Sequence, residues 1–152
     1  MLTLRMPVRL RPSVAFIFLA ALALSLIGAG CAEHLPDQDL RILQAAPVAK
    51  LTTDILWNEF KADARAAHRK YHGKAIEVSG KVTGLVPDQP PARIVFGPST
   101  PGGGGAGAVE ARVLDDRASV TFADLSVGRR ITVRCFVEGL ATNVILKSCI
   151  RL

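Results

Sequence analysis

The strongest constraint on the fold is a change of sequence period at Gly73. Beyond it, apolar residues occupy alternate positions: Ile76, Val78, Val82 and Val86. The positions between them hold Glu77, Ser79, Lys81 and Leu85. This alternation predicts a long strand with one face buried. Gly80 and Gly84 share the apolar parity, where a missing side chain allows the sharp bend that barrel closure requires.

Four further strands are predicted, at 93–96, 109–114, 131–137 and 144–151. Pro87 to Pro91 and Glu138 to Asn143 are predicted turns, and Pro98 to Gly107 is a loop with four consecutive glycines. Arg117 to Leu125 fits either two helical turns or a strand, and the helix is preferred. Five strands with a break between the third and the fourth follow the order of an OB-fold barrel.

One amphipathic helix is predicted before the strands. Thr52 to Asp54 supply capping side chains, and apolar residues follow at spacings of three or four: Leu56, Phe60, Ala64, Ala67 and Tyr71. The preceding stretch, 32–51, has two prolines, mixed charges and no sustained period, so it is interpreted as a tether. An alternative packs three of its residues on the domain as a helical turn: Leu40, Ile42 and Leu43.

The amino-terminal thirty residues have the composition of a signal peptide. Residues 14–30 are uncharged and apolar, follow Arg5, Arg9 and Arg11, and end in small residues. Cys31 comes next. Small residues before a cysteine at the end of an apolar run resemble the lipobox of bacterial lipoproteins. In those proteins the cysteine sulfur receives a diacylglyceryl group and the chain is cut before it, so the resemblance implies acylation, with palmitate for example, at Cys31.

Gly28 departs from the lipobox, which usually has Leu or another branched apolar residue three positions before the cysteine. An ordinary signal cut after Ala32 and an uncleaved membrane helix therefore stay as alternatives. All three predict export. Ala32 after the cysteine, rather than Asp, implies an outer-membrane lipoprotein facing the periplasm. The predicted organisation is a signal peptide over 1–30, a lipid-attached tether over 31–52 and an OB-fold domain over 53–152.

An ordered series of short motifs runs through the predicted domain. Its members are Lys70 to Lys74, Val78 to Val82, Leu125 to Gly128, Cys135, Gly139 and Cys149. Over residues 53–152 this series resembles the tRNA-anticodon-like OB-fold family of small exported bacterial proteins. The glycine tract at 102–105 is not a family feature, and Ala111 stands where the family commonly has a cysteine. The resemblance implies an OB fold much more strongly than an activity.

Export would allow a disulfide between Cys135 and Cys149 to persist. Thirteen residues lie between them, and closing a loop of that size is worth about 3 kcal/mol in the chain-entropy model. A turn centred near Leu140 would place Cys135 opposite about Leu146, so a bulge is needed to bring Cys149 into reach. Two buried thiols are equally compatible with the sequence.

Charge and histidine content argue against several functions. The chain has a formal charge of +6, but without the three amino-terminal arginines it holds 16 basic against 13 acidic residues. That balance is too mild to indicate a polyanion partner. His34 lies in the tether, and His68 and His72 are four residues apart. They could form half of a metal site, but no HExxH pattern or thiolate cluster accompanies them, so a solvated helix end is preferred.

No residue stands out as catalytic. The tract Gly102 to Gly105 lacks the Lys-Ser/Thr that follows in a phosphate-binding loop, so it is interpreted as a flexible loop. No other pattern indicates a nucleophile, a general base or a cofactor site. The sequence therefore predicts a protein that is not an enzyme and that needs no cofactor or metal.

A candidate ligand face carries Lys81, Arg93 and Arg112 on solvent parity, together with the turns at 87–91 and 138–143. An OB barrel that binds nucleic acid needs exposed aromatics as well as cations. Aromatics make up 5% of the chain, Phe96 takes the buried parity, and export removes most nucleic acid from reach. The expected function is a lipid-anchored envelope module that binds a partner; single-stranded nucleic acid or another polyanion is the alternative ligand.

Overall fold

The computed structural model describes residues 37–97 and 107–152. A 3₁₀ turn occupies Leu40–Leu43. The strands are β1 (Lys50–Thr52), β2 (Ala75–Val86), β3 (Arg93–Phe96), β4 (Val109–Val113), β5 (Arg130–Leu140) and β6 (Val144–Arg151). The helices are α1 (Thr53–Ala62), α2 (Ala64–Tyr71) and α3 (Asp115–Phe122). The predicted signal peptide, the lipidation of Cys31 and the glycine tract at 102–105 lie outside the described residues.

Strands β2 to β6 close into a barrel. The sheet order is β1-β2-β3-β4-β6-β5, and β5 pairs again with the first half of β2. β1 runs parallel to β2, with Lys50 beside Glu77. This confirms the predicted mainly β fold, a five-stranded OB-fold barrel, and adds one short strand before the helices. α3 lies between β4 and β5, which confirms the helical interpretation of 117–125.

The barrel interior is filled by apolar side chains from all five strands. Fully buried examples are Val78, Ile94, Phe96, Ala111, Val133 and Leu146. Leu56 and Phe60 of α1 and Tyr71 of α2 belong to the same core. Burying a side chain of this size is worth about 1.5–3 kcal/mol, so interior packing is the main source of stability.

The predicted single helix is divided in two at Asp63. This residue has extended backbone angles, φ −152° and ψ 94°, and its Oδ1 accepts a hydrogen bond of 2.9 Å from the amide of Ala66. It is therefore the N-cap of α2. The break changes the helical phase, and Ala64, which the sequence placed on the buried face, is exposed.

A β-bulge reverses the parity of the last residues of β2. The pairing with β3 shifts between Val82 and Gly84, which leaves Thr83 as an extra residue. Leu85 consequently packs against the core, and Val86 and Gly84 lie on the outer parity. The sequence predicted the reverse for these three residues, because simple alternation does not reveal an inserted residue.

Residues 37–52 pack on the barrel, so the tether interpretation does not hold for them. Ile42 is fully buried in a second apolar cluster with Ala75, Leu114 and Phe136. The alternative of a packed helical turn is thus confirmed for Ile42, whereas Leu40 and Leu43 are 56% and 38% exposed. The packed domain extends at least to residue 37, beyond the expected boundary at 53.

Polar contacts hold the start of this segment. The hydroxyl of Ser148 accepts a hydrogen bond of 2.8 Å from the amide of Asp39 and donates one of 3.1 Å to the carbonyl of Asp37. The side-chain carbonyl of Gln38 accepts a bond of 2.7 Å from the amide of Asp115, the first residue of α3. These contacts join the segment to β6 and α3.

A disulfide joins Cys135 of β5 to Cys149 of β6. The predicted turn over 138–143 starts too early, because β5 continues to Leu140 and the turn occupies 141–143. The later turn brings Cys149 level with Cys135. The pairing of β5 with β6 contains two bulges, and the second restores the register that the first shifts.

Among the helices of the described residues, none is long and apolar enough to span a membrane.

Candidate ligand face of the barrel

Arg93 and Arg112 are neighbours on the outer side of the barrel. Their Cα positions are paired in register across the β3–β4 ladder. Their side chains are 33% and 28% exposed. Directly opposed residues in a ladder point to the same side of the sheet, so the hairpin itself places the two guanidinium groups together.

Glu110 balances the charge of this arginine pair. Its Oε1 accepts a hydrogen bond of 3.2 Å from Nε of Arg112 and lies 3.9 Å from Nη1 of Arg93. Glu110 precedes Arg112 by two residues on one strand, so both side chains point the same way. Gln89 accepts a further bond of 2.8 Å from Nη2 of Arg93. Several guanidinium donors are therefore already used within the protein.

Asp37 adds a second carboxylate to the same face. Its Oδ1 lies 3.3 Å from Nη1 of Arg112 and 3.4 Å from Nζ of Lys147. The side chain of Lys147 is 1% exposed and also lies 3.6 Å from Oε2 of Glu138. Paired carboxylates offset the several kcal/mol that burying an ammonium group costs. The amino-terminal segment thus bridges β4 and β6 and covers part of the candidate face.

Lys81 lies apart from the arginine pair. It is paired in register with Arg130 of β5, whereas Arg93 is paired with Val86, near the other end of β2. At about 3.3 Å per residue, the five steps from position 81 to 86 separate the two sites by roughly 16 Å along the strand. Lys81 and Arg130 are both exposed. The residues predicted to form one face therefore form two separate cationic sites.

The two turns of the predicted face border opposite ends of β4. The turn at 87–91 leads into β3 beside Arg93 and contributes Gln89 to the arginine pair. The turn at 141–143 adjoins the other end, where the amide of Val144 donates a bond of 3.1 Å to the carbonyl of Ala108. The second turn therefore lies at the far end of β4 from Arg112.

No Phe, Tyr or Trp side chain within 37–97 and 107–152 is exposed. Phe96 is fully buried in the barrel, and Trp57 and Phe122 pack against the core. Phe136 is 8% exposed, and the guanidinium of Arg41 lies 5.9 Å from its ring centroid. Base stacking requires an accessible ring, which the described part of this face does not offer.

The two histidines of α2 stack on one another. The rings of His68 and His72 have centroids 4.2 Å apart and an interplanar angle of 16°. Nδ1 of His72 lies 2.7 Å from the carbonyl oxygen of Glu138, which can only accept, so Nδ1 is the donor of this hydrogen bond. Within the described residues, no group of three or more metal-ligating side chains occurs. His34 lies outside them.

Sequence reasoning missed two features. The first is a groove of about 560 Å³ between α3, the end of β6 and the 3₁₀ turn, with Leu43, Val120 and Leu152 in its lining. It was missed because Leu43 was assigned to a tether and Val120 to an ambiguous segment. The second is the pairing of Glu110 with Arg112, which their spacing of two on a predicted strand does signal.

Comparison with known families settles the classification. The tRNA_anti-like family matches residues 6–150. The chain belongs to this family. The match covers nearly the whole chain and reaches well before residue 53, where the resemblance of the motifs began. No curated protein sequence matches the chain.

Two solved structures are similar to this tRNA_anti-like chain. One is a lipoprotein from Klebsiella pneumoniae, named as a presumed nucleic-acid binder: it has 14% identity and a TM-score of 0.52, and the alignment covers 78% of this chain and 99% of that one. The other is an OBody bound to hen egg-white lysozyme, with 21% identity, a TM-score of 0.38, and 55% and 83% coverage. The first likeness supports the fold.

Proposed function

We propose that this tRNA_anti-like protein is an exported, lipid-anchored module of the bacterial cell envelope that binds or braces a partner. The observation that carries the proposal is the apolar stretch 14–30 ending directly at Cys31. Several acyl chains on Cys31 would make attachment stable, whereas a single chain would be marginal. The similar Klebsiella protein, which is named a lipoprotein, supports this proposal.

The module binds and does not catalyse. In the described residues, the charged groups of the arginine face are ion-paired with one another, and the cysteines form a buried disulfide. A catalytic site needs a nucleophile or base held near a reacting atom, and these groups are occupied.

Metabolic labelling with palmitate tests the anchor. The full chain is produced in a bacterium grown with labelled palmitate, in wild-type form and as Cys31→Ala. We expect the label in the wild type and its loss in the variant. Label that persists in Cys31→Ala would contradict the proposal, and so would an unlabelled wild type.

The outer membrane is the proposed location, with the barrel facing the periplasm. The residue after the lipidated cysteine is Ala32 rather than Asp. Separation of inner and outer membranes on a sucrose gradient checks this. We expect the wild type in the outer-membrane fraction and Ala32→Asp shifted toward the inner one. Wild-type protein that fractionates with the inner membrane would contradict the location but not the anchor.

Binding of single-stranded nucleic acid or another polyanion is the second candidate function. Adjacent arginines on β3 and β4 favour it, because those strands form the usual ligand face of OB folds. The name of the Klebsiella protein also points to nucleic acid. The ion pairs with Glu110 and Asp37 oppose it, since a polyanion must displace these carboxylates or share their guanidinium partners.

Titration of a fluorescent single-stranded oligonucleotide at several salt concentrations tests this candidate. Arg93→Ala and Arg112→Ala should each weaken binding and reduce its salt dependence by about one phosphate contact. Asp37→Asn should tighten binding, because it releases one partner of Arg112. Lys81→Ala is the matched control at the separate cationic site. Absence of binding at low salt would leave the envelope-module proposal alone.

A further inference from the structure

The groove between α3 and β6 combines an apolar lining with unusual exposure. Val120 and Leu152 are 69% and 55% exposed, and Leu43, which also lines the groove, is 38% exposed. Leu40 lies three residues before Leu43, so the two side chains share one side of the 3₁₀ turn. Leu40 is itself 56% exposed. The groove and its border thus form one apolar patch.

This patch concentrates the exposed apolar surface of the domain. Within 37–97 and 107–152 there are eight exposed large apolar side chains, and the patch holds four of them: Leu40, Leu43, Val120 and Leu152. Single exposed apolar residues are ordinary, but a contiguous group marks an interaction surface. An isolated domain would gain nothing from keeping these four together in water.

The charged groups of the groove are nearly balanced. Arg117 is exposed on α3, directly after Asp116. Asp124 is bonded to Arg151 and to Arg129, with 2.9 Å between its Oδ2 and Nη1 of Arg129. The bond from Arg151, with that from Arg129, lowers the pKa of Asp124 to about 2. Binding at this groove would therefore depend on apolar contact more than on net charge.

The amino-terminal segment identifies the occupant. Five residues separate Cys31 from Asp37, and six extended steps span at most about 20 Å. Asp37 and Gln38 are held against β4, β6 and the first residue of α3, and the segment then forms the 3₁₀ turn that lines the groove. A lipid on Cys31 therefore keeps the groove wall close to the bilayer surface.

We propose that the α3–β6 groove rests on the lipid surface to which Cys31 attaches the chain, with Leu40, Leu43, Val120 and Leu152 in the interfacial layer. This inference rests on the proposed lipid anchor. The short connection raises the effective concentration of the groove at the membrane, so weak apolar contacts suffice to orient the domain.

Tryptophan quenching by brominated lipid tests the orientation. The full chain, as Trp57→Phe, receives a new tryptophan at Val120 and is reconstituted in vesicles of brominated phosphatidylethanolamine and phosphatidylglycerol. Val127→Trp is the matched control, because Val127 is 60% exposed and is not in the groove lining. We expect loss and blue shift of emission at position 120 and neither at 127. Equal quenching at both positions, or none at 120, overturns the inference.

A second variant separates the groove from the anchor. In the mature chain, residues 31–152, carrying Cys31→Ser, vesicles of the same lipids without bromine should bind weakly, and Val120→Asp should reduce that binding about tenfold, as expected for the loss of contact of one valine. Affinity unchanged by Val120→Asp overturns the inference. Tryptophan emission at position 120 that changes with protein concentration and not with lipid concentration would also overturn the inference, because it would mean that a second copy of the chain covers the groove. Palmitate labelling reports on the anchor independently.

Discussion

The barrel and the amino-terminal segment 37–52 are held by different kinds of contact. The barrel is closed by five paired strands, a buried apolar interior and a disulfide. The segment rests on one buried isoleucine, a hydroxyl that serves two backbone groups, a three-residue pairing of β1 with β2, and ion pairs to Arg112 and Glu77. The barrel therefore does not depend on the segment, whereas the segment depends on sites that the barrel provides.

This difference bears on function. The segment lies between the proposed lipid anchor and the barrel, and Asp37 within it occupies Arg112 of the candidate ligand face. A change in the segment would therefore alter both the distance of the barrel from the membrane and the charge of the face. A change in the barrel interior would alter neither without unfolding the domain.

Removal of the disulfide should have the largest effect on stability. The double variant Cys135→Ala, Cys149→Ala should lose about 3 kcal/mol of unfolding free energy, since the loop closed by the bond holds thirteen residues. Urea unfolding without reductant measures the loss. Wild-type protein unfolded in excess reductant is the control and should behave like the variant. An unchanged midpoint would show that barrel pairing alone constrains β5 and β6.

Ile42→Ala should have the next largest effect on the free energy of unfolding. Its side chain is fully buried against Ala75, Leu114 and Phe136, so truncation should cost about 2 kcal/mol, the lower end for isoleucine in a small cluster. Leu40→Ala, two residues earlier and 56% exposed, is the matched control and should stay within about 0.5 kcal/mol of wild type. Equal effects of the two variants would restore the tether interpretation.

The strands were predictable because each carries its own signal. Arg93–Phe96 and Val144–Arg151 begin and end where alternation and turn residues placed them, and Val109–Val113 ends one residue before the predicted end at Leu114. The bulge at Thr83 and the break at Asp63 were not predictable, because each depends on a partner: β3 for the bulge, and the backbone amide of Ala66 for the cap. The local spacing of apolar residues predicts which face of a strand or helix is buried, but it does not predict where an inserted residue or a break changes that face.

The segment and the candidate site also depend on contacts between residues far apart in the sequence, which local patterns do not predict. Ile42 is one apolar residue in a polar stretch, and its burial depends on a cluster assembled from the N-cap residue of α3 and two strands. Arg93 and Arg112 were correctly placed on solvent parity, yet the sequence did not reveal that Asp37, 75 residues before Arg112, would pair with it. Lys81 was grouped with them by parity alone, which does not report distance along the strand.

Ser148→Ala should have a smaller effect, confined to the segment. The hydroxyl bonds the amide of Asp39 and the carbonyl of Asp37, and its loss should cost about 1 kcal/mol. Hydrogen exchange should accelerate at the amide of Asp39. Ser79→Ala is the matched control, because that hydroxyl bonds Thr132 within the barrel ladder. Unchanged exchange at Asp39 in Ser148→Ala would mean that other contacts hold the segment.

The smallest expected effect is a pH dependence at Glu77, where the two regions meet. Hydrogen bonds from Lys50 of β1 and then from Arg134 of β5 lower the pKa of Glu77. A carboxyl whose pKa is lower folded than unfolded contributes stability above its unfolded pKa, about 4.3, and loses it as the pH falls through the folded value. Glu77→Gln should therefore flatten the decline of unfolding free energy below about pH 5.

Lys50→Met, which removes the partner in the segment and leaves Arg134 in the barrel, should flatten this decline partly. A Lys50→Met profile identical to wild type would mean that the barrel partner alone sets the titration, and that β1 pairs with β2 without help from this charge.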